Sequence, residues 1–193
     1  MASPLNRQSV IDAARDCIVA DGLDAISLRK LAATLGVTAP ALYAYVDDKR
    51  DLLRGVAELE FRRLAARFEQ IDDPDPVERM RQMSHAYVEQ ALAEPELFRT
   101  MFQFSPDLAI GTPTGAEDEL ATSVFELALS SVVEAIDSGA LRRAEPITVA
   151  LTIWSATHGV VDMLLMGFPF DDATRHMLVD SVIDTVLAGL ASA

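Results

Sequence analysis

The chain has 193 residues, half of them hydrophobic, and a formal net charge of −14. That length and apolar share support a packed core and exclude a wholly disordered polymer. A lone cysteine, Cys17, excludes an intrachain disulfide and a multi-cysteine metal site.

The start of the sequence shows no basic segment followed by an apolar run with a small-residue cleavage site, so the expected location is cytoplasmic. Ile147 to Phe170 is long and apolar but carries His158 and Asp162 near its middle. An aspartate at a bilayer centre costs roughly 2.5–3.5 kcal/mol, which favours a buried or interface helix over a membrane span. The acidity is unevenly spread. Residues 1–68 hold ten Lys and Arg against nine Asp and Glu, a net of +1, while residues 69–193 hold six against twenty-one, a net of −15. The first part is therefore free to approach phosphates, although the whole chain is acidic.

Helical periodicity runs throughout, with no alternating strand pattern between turn signals. The first helix is predicted from about Arg7 to Ala20, with Val10, Ala14, Cys17 and Ile18 on one face and Gly22 as its stop. Ser27 is a natural N-cap for a short second helix, whose Leu28, Leu31, Ala32 and Leu35 share a face before Gly36 breaks it. Thr38 is expected to cap a third helix reaching about Val46, with Pro40 tolerated in the first turn. Asp47 is expected to cap a fourth, longer helix through Leu52, Val56, Leu59, Leu64 and Phe68. The segment Asp72-Asp73-Pro74-Asp75-Pro76 ends it. Further helices are predicted near 77–93, 96–104, 118–138, 146–167 and 171–191, with Ser105 to Gly115 as a mobile loop. The fold class is all-α, about nine helices: an N-terminal three-helix helix-turn-helix domain (1–50), a connecting helix (51–71) and a C-terminal ligand-binding and dimerisation bundle (72–193).

Function is most legible between Ser27 and Val46. Two short amphipathic helices flank Gly36-Val37-Thr38, a turn tight enough to force the steep crossing of a helix-turn-helix. The outer face of the second carries Thr38, Ala39, Pro40 and Tyr43, which are small or flat and uncharged. Short side chains let a helix lie deep in a major groove, near base edges and thymine methyls. Hydroxyls and N–H groups at helix starts grip phosphates. An ordinary three-helix core with tyrosines at its rim is the plainer alternative.

Leu28-Arg29-Lys30-Leu31-Ala32, Leu35-Gly36-Val37, Leu42-Tyr43, Lys49 and Leu52-Leu53 resemble the tetracycline-repressor (TetR) family over residues 7–56. The chain departs from that pattern at Tyr45-Val46, where many members have His-Phe. The resemblance implies a phosphate bond from Ser27 and guanine reading by Arg29. It further implies a reading surface of Thr38, Ala39, Pro40 and Tyr43, with Tyr45 and Lys49 holding the DNA backbone. It also implies a repressor that binds double-stranded operator DNA.

In the C-terminal half, Ile147, Leu151, Trp154, His158, Val161 and Leu165 form a stripe on a helix apolar nearly all round, which must be buried, in part against another chain. The last helix sets Val179, Val182, Ile183, Val186 and Leu190 opposite Asp180 and Asp184. Two such helices per chain can build a four-helix bundle across a two-fold axis, so a homodimer is expected. Trp154, His158 and Gly159 resemble the signature of a TetR subgroup named for Trp-His-Gly. Met83, Tyr87, Phe98, Met101, Phe102, Phe104, Phe125, Trp154, His158 and Met163 are the candidate lining of an adaptable apolar pocket for a small hydrophobic or aromatic effector. Each of them is also plausible as plain core. An enzyme, a metal site and a cofactor are not expected: His85, His158 and His176 are scattered, and nucleotide-binding and nucleophile-elbow motifs are absent. The rival reading is a DNA-binding dimer without an effector, whose C-terminal domain only pairs or binds a protein.

Overall fold

A computed structural model describes residues 5–105 and 119–192. Its helices are α1 (Arg7–Asp21), α2 (Leu28–Thr34), α3 (Ala39–Leu42), α4 (Lys49–Glu69), α5 (Pro76–Ala93), α6 (Pro95–Gln103), α7 (Glu119–Asp137), α8 (Pro146–Leu165) and α9 (Asp172–Leu190), with a single 3-10 turn at Leu23–Ala25. Most of the loop expected from Ser105 to Gly115 lies outside the described residues. Among the described residues the only strand-like contact is an isolated antiparallel bridge from Leu141 to Ala191.

Local chemistry sets the helix ends. Asn6 and Ser9 exchange side-chain-to-backbone hydrogen bonds of 2.8 and 2.9 Å, a capping box that starts α1. Gly22, at φ +85°, stops it. The Ser27 hydroxyl accepts the Lys30 N–H at 3.2 Å and starts α2, as its position predicts. Gly36, at φ +68°, turns the chain into α3. That helix is shorter than expected, ending at Leu42 instead of near Val46, and Thr38 makes no side-chain cap. The cap of α4 differs as well. Asp48, not Asp47, accepts the Asp51 N–H at 2.8 Å, while the Asp51 carboxylate reaches back to the Asp47 N–H at 2.9 Å. Asp48 thus does the capping, and Asp47 supplies only its backbone.

The chain divides into two compact units. The first takes the described residues up to Arg62 together with those from Glu94 to Ala121. Its core gathers Val10 and Ile18 of α1, Leu31 of α2, Leu42 of α3, Val46, Leu52 and Val56 near the start of α4, and Leu97 of α6. α1 crosses α4 closely at Gly55, where an added Cβ would lie 2.7 Å from the Ile11 methyl.

Polar bonds fix α6 in this unit. The Arg15 guanidinium donates to Glu60 at 2.7 Å and to Glu94 at 2.5 Å, and Glu60 is 1% exposed. Glu96 accepts the Leu23 N–H at 2.9 Å, and Arg99 pairs with Asp24. Glu94 sits at the N-cap of α6 but makes no side-chain cap, because its carboxylate is turned to Arg15. Removing Arg15 alone would leave Glu60 charged in the interior, which is strongly destabilising.

The second unit takes Arg63–Ala93 and the described residues from Thr122 onward. α5, α8 and α9 pack on one another there. Val132 and Ala135 of α7, Val149 and Val161 of α8, and Val179, Ile183 and Leu187 of α9 are buried. Arg79 ties α5 to α7 through Ser131 and Glu134, and to the preceding turn through the Asp73 carbonyl.

Candidate nucleic-acid interface and effector cluster

Four residues cannot make a stable helix on their own, so α3 depends on its neighbours. Leu42 anchors it at 0% exposed and Val46 follows at 2%. Arg7 closes the structure from the other side. Its two terminal nitrogens bond the two oxygens of Asp51 at 2.9 and 2.8 Å, and one of them also donates to the Tyr45 carbonyl at 2.8 Å. A single guanidinium thereby joins the start of α1, the chain just after α3 and the first turn of α4. The paired guanidinium holds the Asp51 carboxyl below its ordinary value, burial opposing this and the Asp47 N–H adding to it. The Arg7 guanidinium is raised in turn, chiefly by its hydrogen bond to Asp51.

This anchoring leaves a small apolar tip in solvent. Tyr43 is 57% exposed, and Thr38 and Pro40 are exposed beside it. Ser27, Arg29 and Lys49 are also exposed. Two of the expected contacts are less open. Ala39 and Tyr45 are half-buried and pack on the core, so of the eight expected residues these two face the interior in part. Sequence reasoning missed the Arg7–Asp51 bridge, for which residues 44 positions apart give no local signal.

The candidate effector residues fall into two sets. In the first unit, Phe98 and Met101 of α6 are buried, Phe98 and Phe102 lie with ring centroids 4.9 Å apart, and Phe102 meets Phe61 edge-on. Phe104 packs against the core beneath the helix-turn-helix.

In the second unit, Tyr87 of α5 meets Trp154 and His158 of α8. The Trp154 indole N–H, which can only donate, reaches the Tyr87 oxygen at 3.3 Å. Tyr87 and the His158 Nδ1 lie 2.6 Å apart, so the phenol hydrogen is placed to be donated to Nδ1, and the His158 Nε2 faces Asp162 at 3.7 Å. Burial pushes the Tyr87 phenol well above its ordinary value, which keeps it a neutral donor. Next to this chain of groups, Thr157 bonds the Ser84 hydroxyl at 3.4 Å, a buried polar contact between α8 and α5. Met83 is buried, whereas Met163 and Phe125 are half-buried. No group of three or more potential metal ligands occurs among the described residues.

Two family profiles match the sequence. One, described as bacterial regulatory proteins of the tetR family, covers residues 10–56. The other, described as a tetracyclin repressor-like C-terminal domain, covers residues 80–186. An HTH-type transcriptional regulator of Mycobacterium tuberculosis is 26% identical over 182 residues, 93% of this chain and 79% of the relative. The class D tetracycline repressor of Escherichia coli is 49% identical over 53 residues, 28% of this chain and 24% of its own length. A solved structure of a Rhodococcus protein of unknown function superposes with a TM-score of 0.82 at 27% identity, over 98% of this chain and 97% of that one.

The Arg7–Asp51 bridge gives a pH prediction. Because the folded pKa of Asp51 lies below its ordinary value of 3.8, its contribution to stability is present above that value and is lost as pH falls through the lower folded one. Urea unfolding of Asp51→Asn should show lower stability than the wild type at pH 7 and a shallower decline on the acid side. Coincident curves for the two proteins would mean that the bridge does not stabilise the fold.

Proposed function

The chain belongs to the tetracycline-repressor family of DNA-binding transcriptional regulators, and on that premise we propose that α3 reads a near-palindromic operator, from which a small apolar or aromatic effector releases the protein. The observation that carries the DNA-reading role is the tip itself: Tyr43 is 57% exposed at the end of a helix otherwise fixed by buried Leu42. An uncharged tip of this size fits a major groove. Thr38, Ala39, Pro40 and Tyr43 would meet base edges, and Arg29 a guanine. Ser27, Tyr45 and Lys49 would hold phosphates and fix the register. Residues 1–50 read DNA in this account, 51–71 connect, and 72–193 sense and pair.

Pairing is supported by α8. It is the one described helix long and apolar enough to cross a membrane, yet only 33% of its most apolar stretch is buried within the chain. Asp162 and His158 on that helix fit a protein interface better than a bilayer. Gly159 on α8 and Gly189 on α9 have nothing within 4 Å of an added Cβ, which leaves room for another helix to approach closely. Two copies packed through α8 and α9 would make a four-helix bundle and carry two reading helices, one for each half-site.

The effector reading rests on the polar chain of Trp154, Tyr87 and His158 among apolar neighbours. Such a site holds an apolar molecule by area and orients it through a hydroxyl or carbonyl. Release is a population shift. A tenfold loss of DNA affinity requires about 1.4 kcal/mol of differential effector binding between the two states.

Two experiments test these roles. A gel shift with the intergenic duplex beside the gene should show retention by the wild type and none by Tyr43→Ala, with both proteins equally helical by circular dichroism; equal retention would remove Tyr43 from the reading surface. Thermal unfolding against a panel of apolar and aromatic compounds should reveal a stabilising ligand, worth about 2.7 kcal/mol at 100 times its Kd. A flat response across a broad panel would favour the ligand-independent dimer.

A further inference from the structure

The chain carries 30 Asp and Glu against 16 Lys and Arg, yet not every cation is drawn into an ion pair. Arg7, Arg15, Lys30, Arg67, Arg79, Arg81, Arg99 and Arg175 all form ion pairs. Among the described residues, the exposed cations that do not are Arg29, Lys49, Arg50 and Arg54 in the first unit, and Arg142 and Arg143 in the second. Arg54 acts on Asp51 only at a distance.

Arg50 and Arg54 have no role in the reading given above. They are spaced i and i+4 on α4 and so share a face. That face points outward, because Leu52, Leu53 and Val56 enter the core and Gly55 faces α1. The row begins seven residues after Tyr43, at the end of α4 that follows directly from α3.

We propose that Arg50 and Arg54 are phosphate-contacting residues of the operator interface, extending the footprint of α3 along one flank of α4. The proposal rests on the DNA-reading role of this unit. One turn of helix separates the two side chains by about 6 Å, and phosphates recur every 3.4 Å or so of duplex axis on each strand, so the pair can reach phosphates one to two steps apart. Local charge also calls for them. Asp47 and Asp48 are exposed at the same end of α4 and repel a DNA strand. Unpaired arginines beside them turn that repulsion into attraction, and they form no internal ion pair that must break on binding.

Counterion release makes the proposal measurable. Binding is followed by fluorescence anisotropy between 50 and 200 mM potassium chloride, with a labelled intergenic duplex and a random-sequence duplex of equal length. Arg50→Gln and Arg54→Gln should each lower the magnitude of the log K against log salt slope by about 0.9, and to the same extent on both duplexes, since phosphates carry no sequence. Arg142→Gln and Arg143→Gln, made singly, each remove equal charge from the other unit and should keep the wild-type slope. Wild-type slopes for the Arg50 and Arg54 variants would overturn the proposal, as would an equal change in the Arg142 and Arg143 controls. Failure of the wild type to bind either duplex would instead overturn the DNA-reading role, and the proposal with it.

Discussion

Four residues of helix must be held still against solvent, and the rest of the first unit is arranged around that requirement. An isolated turn has too few internal hydrogen bonds to offset the entropy of ordering it. The chain resolves this from two sides. Leu42 and Val46 fix one face of the reading segment in a core shared with α1, α2, α4 and α6. Arg7 then ties the Tyr45 carbonyl to Asp51, so the exit from α3 cannot rotate independently of the helix that follows. With its back anchored, the segment can leave Tyr43 in water and keep its outer face small.

Charge is divided to suit the same end. Carboxylates dominate the chain, yet the exposed side of the first unit keeps Arg29, Lys49, Arg50 and Arg54 out of ion pairs. In the interior the reverse holds. Arg15 is enclosed by Glu60 and Glu94, an arrangement that adds little net stability but fixes the geometry of α1, α4 and the start of α6. The second unit uses polar groups sparingly. Its buried Ser84 and Thr157 hydroxyls donate to the Met80 and Ile153 carbonyls, and Trp154, Tyr87 and His158 bond in a chain, as a low-dielectric interior requires.

Much of this was legible in the sequence. Apolar periodicity placed the helices, and Gly22, Gly36 and Ser27 marked ends because their conformational and capping preferences are local. The family resemblance over residues 7–56 coincides with the matched profile over 10–56. What could not be read was non-local or depended on sub-residue geometry. Asp47 and Asp48 are chemically identical neighbours, so only the backbone path decides which one caps α4. The early end of α3 is a tightening of the backbone, with the Tyr43, Ala44 and Tyr45 N–H groups donating to the carbonyls of Pro40, Ala41 and Leu42, three residues back instead of four. Nor does any local pattern show that α6 packs with the helix-turn-helix, since that depends on Arg15, Leu23 and Asp24 meeting side chains more than seventy positions away. Within the candidate site, composition picked out Tyr87, Trp154 and His158 as apolar or ring-bearing residues but not their order in a hydrogen-bonded chain.

Operator reading requires two small rigid tips to enter successive major grooves of one duplex. Dimethyl-sulfate footprinting of the intergenic DNA, which methylates guanine N7 in the major groove and adenine N3 in the minor groove, tests this directly. Two protected patches, centred about 10–10.5 base pairs apart and related by a near-palindrome, are predicted. A single patch, or protection of the minor groove alone, would contradict it.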